Sequence, residues 1–124
     1  MSKLIKCFFI VFIFLCGSAS AMSKSEHNNY LKIKTLHDEA EQKLNKIYLD
    51  QIRIYQKDGA IFYGQQKSRD IYLKRAQREW IKMRDVSCDY ETYESQTGTG
   101  FASIYEQCLL NKTNERIKYI KDNG

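Results

Sequence analysis

The stretch Ala76–Cys88, AQREWIKMRDVSC, decides how this chain folds, together with Cys108 further along the sequence. It contains the only tryptophan, Trp80, and it ends on a cysteine. From Asp85 to Cys108 there are five acidic residues and no lysine or arginine, whereas the sequence on either side is basic. We predict that Trp80 anchors the core, that the two cysteines join two helices, and that the acidic segment is a contact surface.

Residues 1–21 have the features of a cleaved secretory signal peptide. Two lysines precede the apolar run Cys7–Cys16 (CFFIVFIFLC), and an Ala-Ser-Ala triplet ends at Ala21. The apolar run is half the length that a membrane-spanning helix needs. The alternatives are an uncleaved anchor and a bacterial lipoprotein, but bulky Leu15 precedes Cys16 where a lipoprotein needs a small residue. The sequence therefore predicts a periplasmic or secreted protein, cleaved after Ala21, with no transmembrane segment after cleavage.

The chain from Met22 onward has room for one domain with a modest core. It carries 18 Lys and Arg against 15 Asp and Glu, a net charge of +3. The net charge of a chain indicates what kind of partner it attracts, but it does not indicate the fold. Proline is absent, so long uninterrupted helices are allowed. A hydrophobic content of 43% with nine tyrosines argues against disorder.

Export determines how the cysteines are interpreted. Once the signal peptide is removed, only Cys88 and Cys108 are left, an even number in an oxidising compartment. A disulfide between them would stabilise the fold by about 3 kcal/mol on the chain-entropy model. A catalytic thiol or a metal ligand is the alternative, and either would need a nearby histidine. The only histidines, His27 and His37, lie far upstream.

Hydrophobic spacing predicts an all-α, three-helix up-down-up bundle, with the disulfide joining helices two and three. Helix one is expected over residues 30–56, helix two over 66–90 and helix three over 103–122. Residues 22–34 form a polar extension or a frayed helix start, and residues 35–124 form the domain. Thr35 with Asp38, and Ser103 with Glu106, have the spacing of capping boxes. Gly59 and Gly64 bracket a break around Ala60–Tyr63.

For each helix, the spacing of apolar residues predicts a stripe of side chains that faces the core. For helix one it is Leu36, Ala40, Leu44, Ile47, Tyr48 and Ile52; for helix two, Leu73, Ala76, Trp80, Met83 and Ser87; for helix three, Tyr105, Cys108, Leu109, Lys112 or Thr113, Ile117 and Ile120. Trp80 could instead be an exposed binding residue, but its position on the stripe favours the core.

The chain resembles the lysozyme-inhibitor LprI-like family of small exported domains, formerly a domain of unknown function. The resemblance rests on Ala76, Gln77, Trp80, Arg84, Asp85, Cys88, Gly98, Gly100, Cys108, Thr113, Arg116 and Ile120, with an upstream echo at Ala40, Leu44, Asn45 and Tyr48. It implies an all-helical domain that faces the cell envelope and, from the founding member, inhibition of lysozyme. Many relatives carry further cysteines near the start of the domain, and the chain from Met22 has none there.

Two interpretations stand for the polar motif residues Arg84, Asp85, Thr113 and Arg116. Either Arg84 or Arg116 reaches into a partner's catalytic cleft, or Arg116 pairs with Asp85 across two helices while Thr113 bonds to backbone. The second is favoured, because partly buried ion pairs of this kind set geometry. Asn45 and Gln77 are expected to form hydrogen bonds between helices.

The segment Asp89–Glu94, DYETYE, is the better candidate for contact with a partner. Its residues Asp89, Tyr90, Glu91, Tyr93 and Glu94 alternate carboxylates with tyrosines, which suits an interface. Animal-type lysozymes are cationic, so an acidic protrusion would be drawn toward one. The other interpretation is a solvated end of helix two, and the net positive charge of the chain opposes long-range attraction.

The sequence indicates no enzyme, no cofactor and no metal. The histidines lie outside the motif, and no glycine-rich phosphate loop follows a strand. His37 and Glu41 lie four apart on a helix, but two ligands are too few for a dedicated metal site, and a solvated helix face is expected there. Lys and Arg interleave with aromatic and aliphatic residues elsewhere, which suits an anionic envelope surface. Export argues against nucleic acid as a partner.

The expected function is therefore that of a proteinaceous lysozyme inhibitor that acts by surface contact with the enzyme. The alternative is a non-inhibitory envelope adaptor that binds another exported protein or an anionic surface.

Overall fold

The computed structural model describes residues 22–58 and 64–124 of the chain. The described part consists of α1 (Lys24–Asp58), α2 (Arg69–Glu91), a 3₁₀ turn (Tyr93–Ser95) and α3 (Phe101–Asn123). The predicted signal peptide, and the predicted break at Gly59 and Ala60–Tyr63, lie outside the described residues.

The three helices form the predicted all-α, up-down-up bundle. Residues His37 and Glu41 of α1 contact Glu106 and Thr113 of α3, so these two helices run parallel. The intervening helix α2 runs in the opposite direction. In the part of the chain that the structure describes, no helix is both long enough and apolar enough to cross a membrane.

The two predicted capping boxes are wrong. Helix α1 begins much earlier, where the Ser23 hydroxyl accepts a hydrogen bond of 3.1 Å from the Glu26 backbone N–H. Thr35 lies inside this helix and donates to the Leu31 carbonyl at 2.9 Å. Helix α3 begins after Gly100, two residues before Ser103, which is buried within the helix.

The apolar core lies mainly between α1 and α3. Its buried members are Ala40, Leu44, Leu110, Ile117 and Ile120, and Ile33, Ile47, Tyr48 and Trp80 pack against them. The predicted stripes of helices one and three are largely inward, but Leu36 is 45% exposed and His37 is buried beside it. Helix one is thus rotated slightly from the expected orientation.

The predicted inward stripe of α2 is wrong. The residues that α2 buries are Asp70, Gln77, Arg84 and Cys88. Of the expected stripe, Trp80 is half-buried, whereas Ala76 and Met83 are exposed. The physical reason is that Cys88 must face α3, and Gln77 and Arg84 lie on the same side of α2 as Cys88 at 100° per residue. The apolar stripe lies roughly a quarter turn away.

The predicted disulfide between α2 and α3 is confirmed. Cys88 and Cys108 are joined, with their Cα atoms 5.8 Å apart, a normal separation for a disulfide. Cys88 is completely buried, and it lies three residues before the end of α2. The bond therefore fixes both the spacing and the rotation of α2 against α3 near the turn that connects them.

Removing the disulfide tests how much stability this link supplies. We expect the double variant Cys88→Ala, Cys108→Ala to lose about 3 kcal/mol of unfolding free energy, because the unfolded chain regains loop entropy. Urea denaturation followed by circular dichroism measures the loss. The wild-type protein under reducing conditions is the control and should lose a similar amount. A loss below about 1 kcal/mol would show that packing alone holds α2 in place.

The carboxylate of Asp70 is buried at the start of α2. This carboxylate accepts hydrogen bonds from the Ser68 hydroxyl and, at 2.9 Å, from the Lys74 ammonium. The Ser68 hydrogen bond first, and Lys74 after it, hold the pKa of Asp70 below its ordinary value. A lowered pKa in the folded state means that the carboxylate stabilises the fold above its unfolded pKa and that this contribution is lost as the pH falls.

We therefore expect Asp70→Asn to be less stable than wild type at neutral pH, and the difference to shrink below about pH 4. Urea denaturation at neutral and acidic pH measures it. Glu79→Gln, an exposed carboxylate on the same helix, is the matched control. An equal difference at both pH values would rule out the ionised carboxylate as the stabilising group.

Candidate functional site

A layer of polar side chains crosses the bundle where Glu41, Arg84 and Thr113 meet. Arg84 of α2 donates through Nη1 to the Glu41 carboxylate of α1 and, at 3.3 Å, to the Thr113 hydroxyl of α3. The Thr113 hydroxyl in turn donates to Glu41 Oε1 at 3.1 Å, and Thr113 is completely inaccessible to solvent. We call Glu41, Arg84 and Thr113 the polar layer. It links all three helices at one level.

Trp80 covers this layer from the side of α2. The Arg84 guanidinium lies 5.2 Å from the Trp80 ring centroid, and that of Arg116 lies 5.5 Å from it. Arg116 also lies 4.9 Å from the Tyr119 ring, and its Nε donates to Gln77 Oε1 at 3.0 Å. Burial lowers the pKa of Arg116. Aromatic faces stabilise these cations where water cannot reach them.

The sequence-based interpretations of the two motif arginines need correction. Asp85 does not pair with Arg116; it accepts from Arg84 Nε at 2.9 Å, while Arg116 bonds to Gln77. Thr113 bonds to a carboxylate and not to backbone. Both arginines are over nine-tenths buried in the single chain. The prediction that Gln77 forms a hydrogen bond between helices is confirmed.

His37 is also different from the expectation, because it does not lie on a solvated face. Its Nδ1 lies 2.7 Å from Glu106 Oε2, and its Nε2 lies 3.2 Å from Glu41 Oε1. The residue is buried, and it extends the polar layer toward the start of α3. Among the described residues, no group of three or more His, Cys, Asp or Glu side chains is arranged to hold a metal ion.

The segment Asp89–Glu94, which we call the acidic loop, comprises the last three residues of α2 (Asp89–Glu91), Thr92 and the first two residues of the 3₁₀ turn. Tyr90 is 83% exposed and Tyr93 is 69% exposed, the two highest values among the large hydrophobic side chains. Asp89, Glu91 and Glu94 are exposed as well. All five predicted contact residues are therefore exposed within one short segment.

Thr92, which directly precedes Tyr93, holds the acidic loop in its conformation. Thr92 is buried, and its hydroxyl donates to the Cys88 carbonyl at 2.7 Å. Its backbone N–H bonds to the same carbonyl at 3.0 Å. The turn continues with hydrogen bonds from Ser95 to Thr92 and from Gly98 to Ser95, both 2.9 Å. Since Cys88 is covalently joined to α3, the loop is organised before any partner arrives.

The charges of the acidic loop are not equivalent. Glu91 forms an ion pair of 2.7 Å with Lys112 of α3, which partly neutralises it. Asp89 lies close enough to Tyr105 that its charge, after burial, raises the pKa of that phenol. Glu94 forms no ion pair with any residue that the structure describes. Asp89 and Glu94 are thus the carboxylates most available to a cationic partner.

Sequence reasoning missed four residues that build this region: His37, Glu41, Thr92 and Glu106. The sequence pointed indirectly to Glu41, because it directly follows Ala40, one of the upstream residues on which the family resemblance also rests. For Thr92 the only signal was a β-branched residue between two tyrosines at a helix end. Nothing in the local pattern distinguishes a buried His37 from an exposed one, because its burial depends on the rotation of α1.

The described chain is thus a disulfide-linked three-helix bundle with a polar layer between its helices and an exposed acidic loop that carries two tyrosines. The match to protein families is specific: the model of the family described as lysozyme inhibitor LprI matches residues 16–120. The chain belongs to the lysozyme inhibitor LprI family. Neither a search of curated proteins nor a search of solved structures returns a match.

The polar layer is tested by the variant Arg84→Met, which keeps the aliphatic stem and removes the charge. We expect a loss of about 2 kcal/mol in unfolding free energy, because the Glu41 carboxylate and the Thr113 hydroxyl lose a charged donor. This figure is below the usual range for a buried pair, since the Glu41 side chain is 42% exposed. Thermal and urea denaturation measure it.

Arg78→Met is the matched control for that experiment, because Arg78 is exposed on the same helix. It should change stability by less than about 0.5 kcal/mol. In a double-mutant cycle, Arg84→Met with Glu41→Gln should lose less than the sum of the two single losses. Additive losses would mean that Arg84 and Glu41 act independently.

Proposed function

We propose that this protein is an exported lysozyme inhibitor that blocks the enzyme by surface contact, and that the acidic loop is the contact surface. Membership of the lysozyme inhibitor LprI family supports the class of function. The single observation that supports the surface is the preformed acidic loop, with its two exposed tyrosines and its buried Thr92 anchor. Export follows from the predicted signal peptide of residues 1–21.

Preorganisation gives the acidic loop an advantage in binding. Ordering a flexible loop on association costs free energy, and a loop already fixed by hydrogen bonds and a disulfide avoids that cost. Tyrosine supplies a large contact area with few rotatable bonds and a hydroxyl at its end. Tyr90 and Tyr93 therefore provide the contact area, and Asp89 and Glu94 flank them with negative charge.

The two buried motif arginines strengthen this assignment by elimination. Arg84 and Arg116 are engaged with side chains and aromatic faces inside the bundle. A residue that blocks a catalytic cleft has to be accessible at the surface. The charged and tyrosine side chains of the acidic loop are exposed, whereas the two arginines are buried.

The net charge of +3 does not oppose attraction to a cationic lysozyme, because the charges are segregated along the bundle. The polar layer divides the described chain into two halves. The half that contains the acidic loop (22–41 and 84–113) has five Lys and Arg against nine Asp and Glu. The other half (42–58, 64–83 and 114–124) has 13 Lys and Arg against six Asp and Glu.

Distance makes these two halves electrostatically independent. Helix α1 has 35 residues and is therefore about 50 Å long, so the two halves have centres roughly 25 Å apart. The Debye length at physiological ionic strength is about 8 Å. A cationic partner that approaches the acidic loop is thus attracted by the acidic half and is screened from the basic half.

The basic half favours a second candidate function, an envelope adaptor that binds an anionic surface. Its excess of cations is the observation that supports this alternative. The two candidates make different predictions. An adaptor would be retained on anionic phospholipid vesicles in a salt-sensitive manner and would leave lysozyme activity unchanged.

Inhibition is tested with purified residues 22–124 added to a cationic animal-type lysozyme that is lysing bacterial cell walls, followed by turbidity. We expect a dose-dependent loss of lysis. The double variant Asp89→Asn, Glu94→Gln should weaken inhibition about fivefold, since two exposed charge contacts contribute about 0.5 kcal/mol each. Addition of Tyr90→Ala should weaken it further.

The matched control is Asp58→Asn, Glu79→Gln, which changes the net charge by the same amount on the basic half. It should inhibit as the wild type does. Equal weakening by both double variants would show that net charge, and not the acidic loop, controls the interaction. Undiminished lysis at a large molar excess of wild type would contradict inhibition of this enzyme class.

A further inference from the structure

The apolar stripe of α2 is half uncovered in the single chain. Its members are Leu73, Ala76, Trp80, Met83 and Ser87. Met83 is 56% exposed, and Tyr72 and Tyr119 beside the stripe are exposed to a similar extent. Two adjoining clefts of about 200 and 270 Å³ run along it between α2 and α3, and both are lined by Arg116 and Tyr119.

The stripe is self-complementary when it is reversed about its centre. Helix α2 spans residues 69–91, so Trp80 is its midpoint. In an antiparallel pair of α2 helices with a two-fold axis at Trp80, Leu73 of one copy lies opposite Ser87 of the other. Met83 falls opposite Gln77, one residue from Ala76, because Met83 is three residues after Trp80 and Ala76 is four before it. Leu73 thus meets a small side chain and Met83 lies next to one, an arrangement that lets two helix faces interdigitate.

The charges are self-complementary under the same two-fold operation. An antiparallel pair places the basic half of each copy, with 13 cations against six anions, beside the acidic half of the other. A parallel pair would place like charges together. Arg69 and Glu91 lie at equal distances from Trp80 and at opposite ends of α2, so each faces the other across the axis.

We propose that this chain forms an antiparallel homodimer through the α2–α3 face, with Trp80 at the two-fold axis. Such an interface is isologous, because the same surface serves both copies. The face is about 35 Å long and about 20 Å wide, or roughly 700 Å² per copy. This is close to the roughly 800 Å² per partner of a standard protein interface. The dimer places its two acidic loops at opposite ends, each beside the basic half of the other copy, so the attraction of the acidic loop to a cationic enzyme applies to the monomer.

Sedimentation velocity of residues 22–124, with the disulfide intact, tests the apolar part of the interface. We expect wild type to sediment as a dimer at tens of micromolar and to dissociate on dilution. Met83→Glu should sediment as a monomer at the same concentration, because two carboxylates would enter the apolar centre of the interface. Met83 is largely exposed in the single chain, so the variant should fold, and circular dichroism with thermal melting checks this.

Ile71→Glu is the matched control, because Ile71 is 46% exposed on the same helix but lies away from the stripe. It should remain dimeric. Dissociation by both variants would mean that net charge disrupts association without regard to position, and this would overturn the proposed face.

Charge reversal tests the antiparallel arrangement. Arg69→Glu and Glu91→Arg should each weaken the dimer, and the double variant should restore it, because the opposed pair is re-formed with inverted charge. Each single variant also loses a contact within the chain, Arg69 with the Asn123 carbonyl and Glu91 with Lys112. Rescue by the double variant separates pairing between copies from those internal losses, and absence of rescue would contradict the antiparallel pairing.

A wild-type protein that stays monomeric at every accessible concentration would overturn the dimer. If it is monomeric and Met83→Glu weakens lysozyme inhibition instead, the stripe contacts the enzyme and not a second copy. The mass measurement does not depend on lysozyme, so the dimer and the inhibitory function can fail separately.

Discussion

The rotation of α2 about its own axis is the constraint on which the rest of this structure depends. The disulfide from Cys88 to Cys108 fixes that rotation, because a cysteine that bonds to α3 must point at α3. Helical geometry then turns Arg84 and Gln77 inward with it. A polar interior, a half-uncovered apolar stripe and an organised connecting turn all follow from this one orientation.

Most polar groups of the interior are paired with one another, although Arg116 Nη2 and the Ser103 hydroxyl are buried without a hydrogen-bond partner among the described residues. Arg84 spans from Asp85 to the Glu41 carboxylate and the Thr113 hydroxyl, so its charge is compensated on several sides. Trp80 shields the guanidinium from water. Buried ion pairs of this kind contribute more to the choice of one register between helices than to the total free energy of folding. The contacts of Arg84 with Glu41 and Thr113, and of Arg116 with Gln77, therefore position α2 against α1 and α3.

The same layer of residues divides the surface into two regions of opposite charge. The acidic loop lies at one end, fixed by Thr92 and the disulfide, and an excess of cations lies at the other. Salt screens the two ends from each other, since their separation exceeds the Debye length several-fold. One small bundle can thus present an anionic contact surface to a cationic enzyme although its net charge is positive. The charge pattern of the acidic half, and not the total, governs that encounter.

The sequence by itself determined the number and type of the helices, the disulfide and the family. These depend on local spacing and on counting: apolar residues spaced three and four apart, two cysteines outside the predicted signal peptide, and the residues around Trp80. It also located the acidic loop as an accessible segment, because charged and aromatic residues beside a glycine-rich turn lie at the surface in most folds.

Only the tertiary structure decided which side of α2 faces inward and what Arg84 and Arg116 do. Hydrophobic spacing placed Met83 inside, and that prediction was wrong. For Arg84 the sequence left a contact role and a structural role open and favoured the structural one, and the structure buries it. The reason is physical. Spacing identifies an apolar stripe but not what covers it. Interactions with residues distant in sequence, such as the Arg84–Glu41 ion pair and the Cys88–Cys108 disulfide, can turn a different side of the helix inward. Burial of an arginine depends on acceptors that arrive from other helices, and no local pattern contains that information.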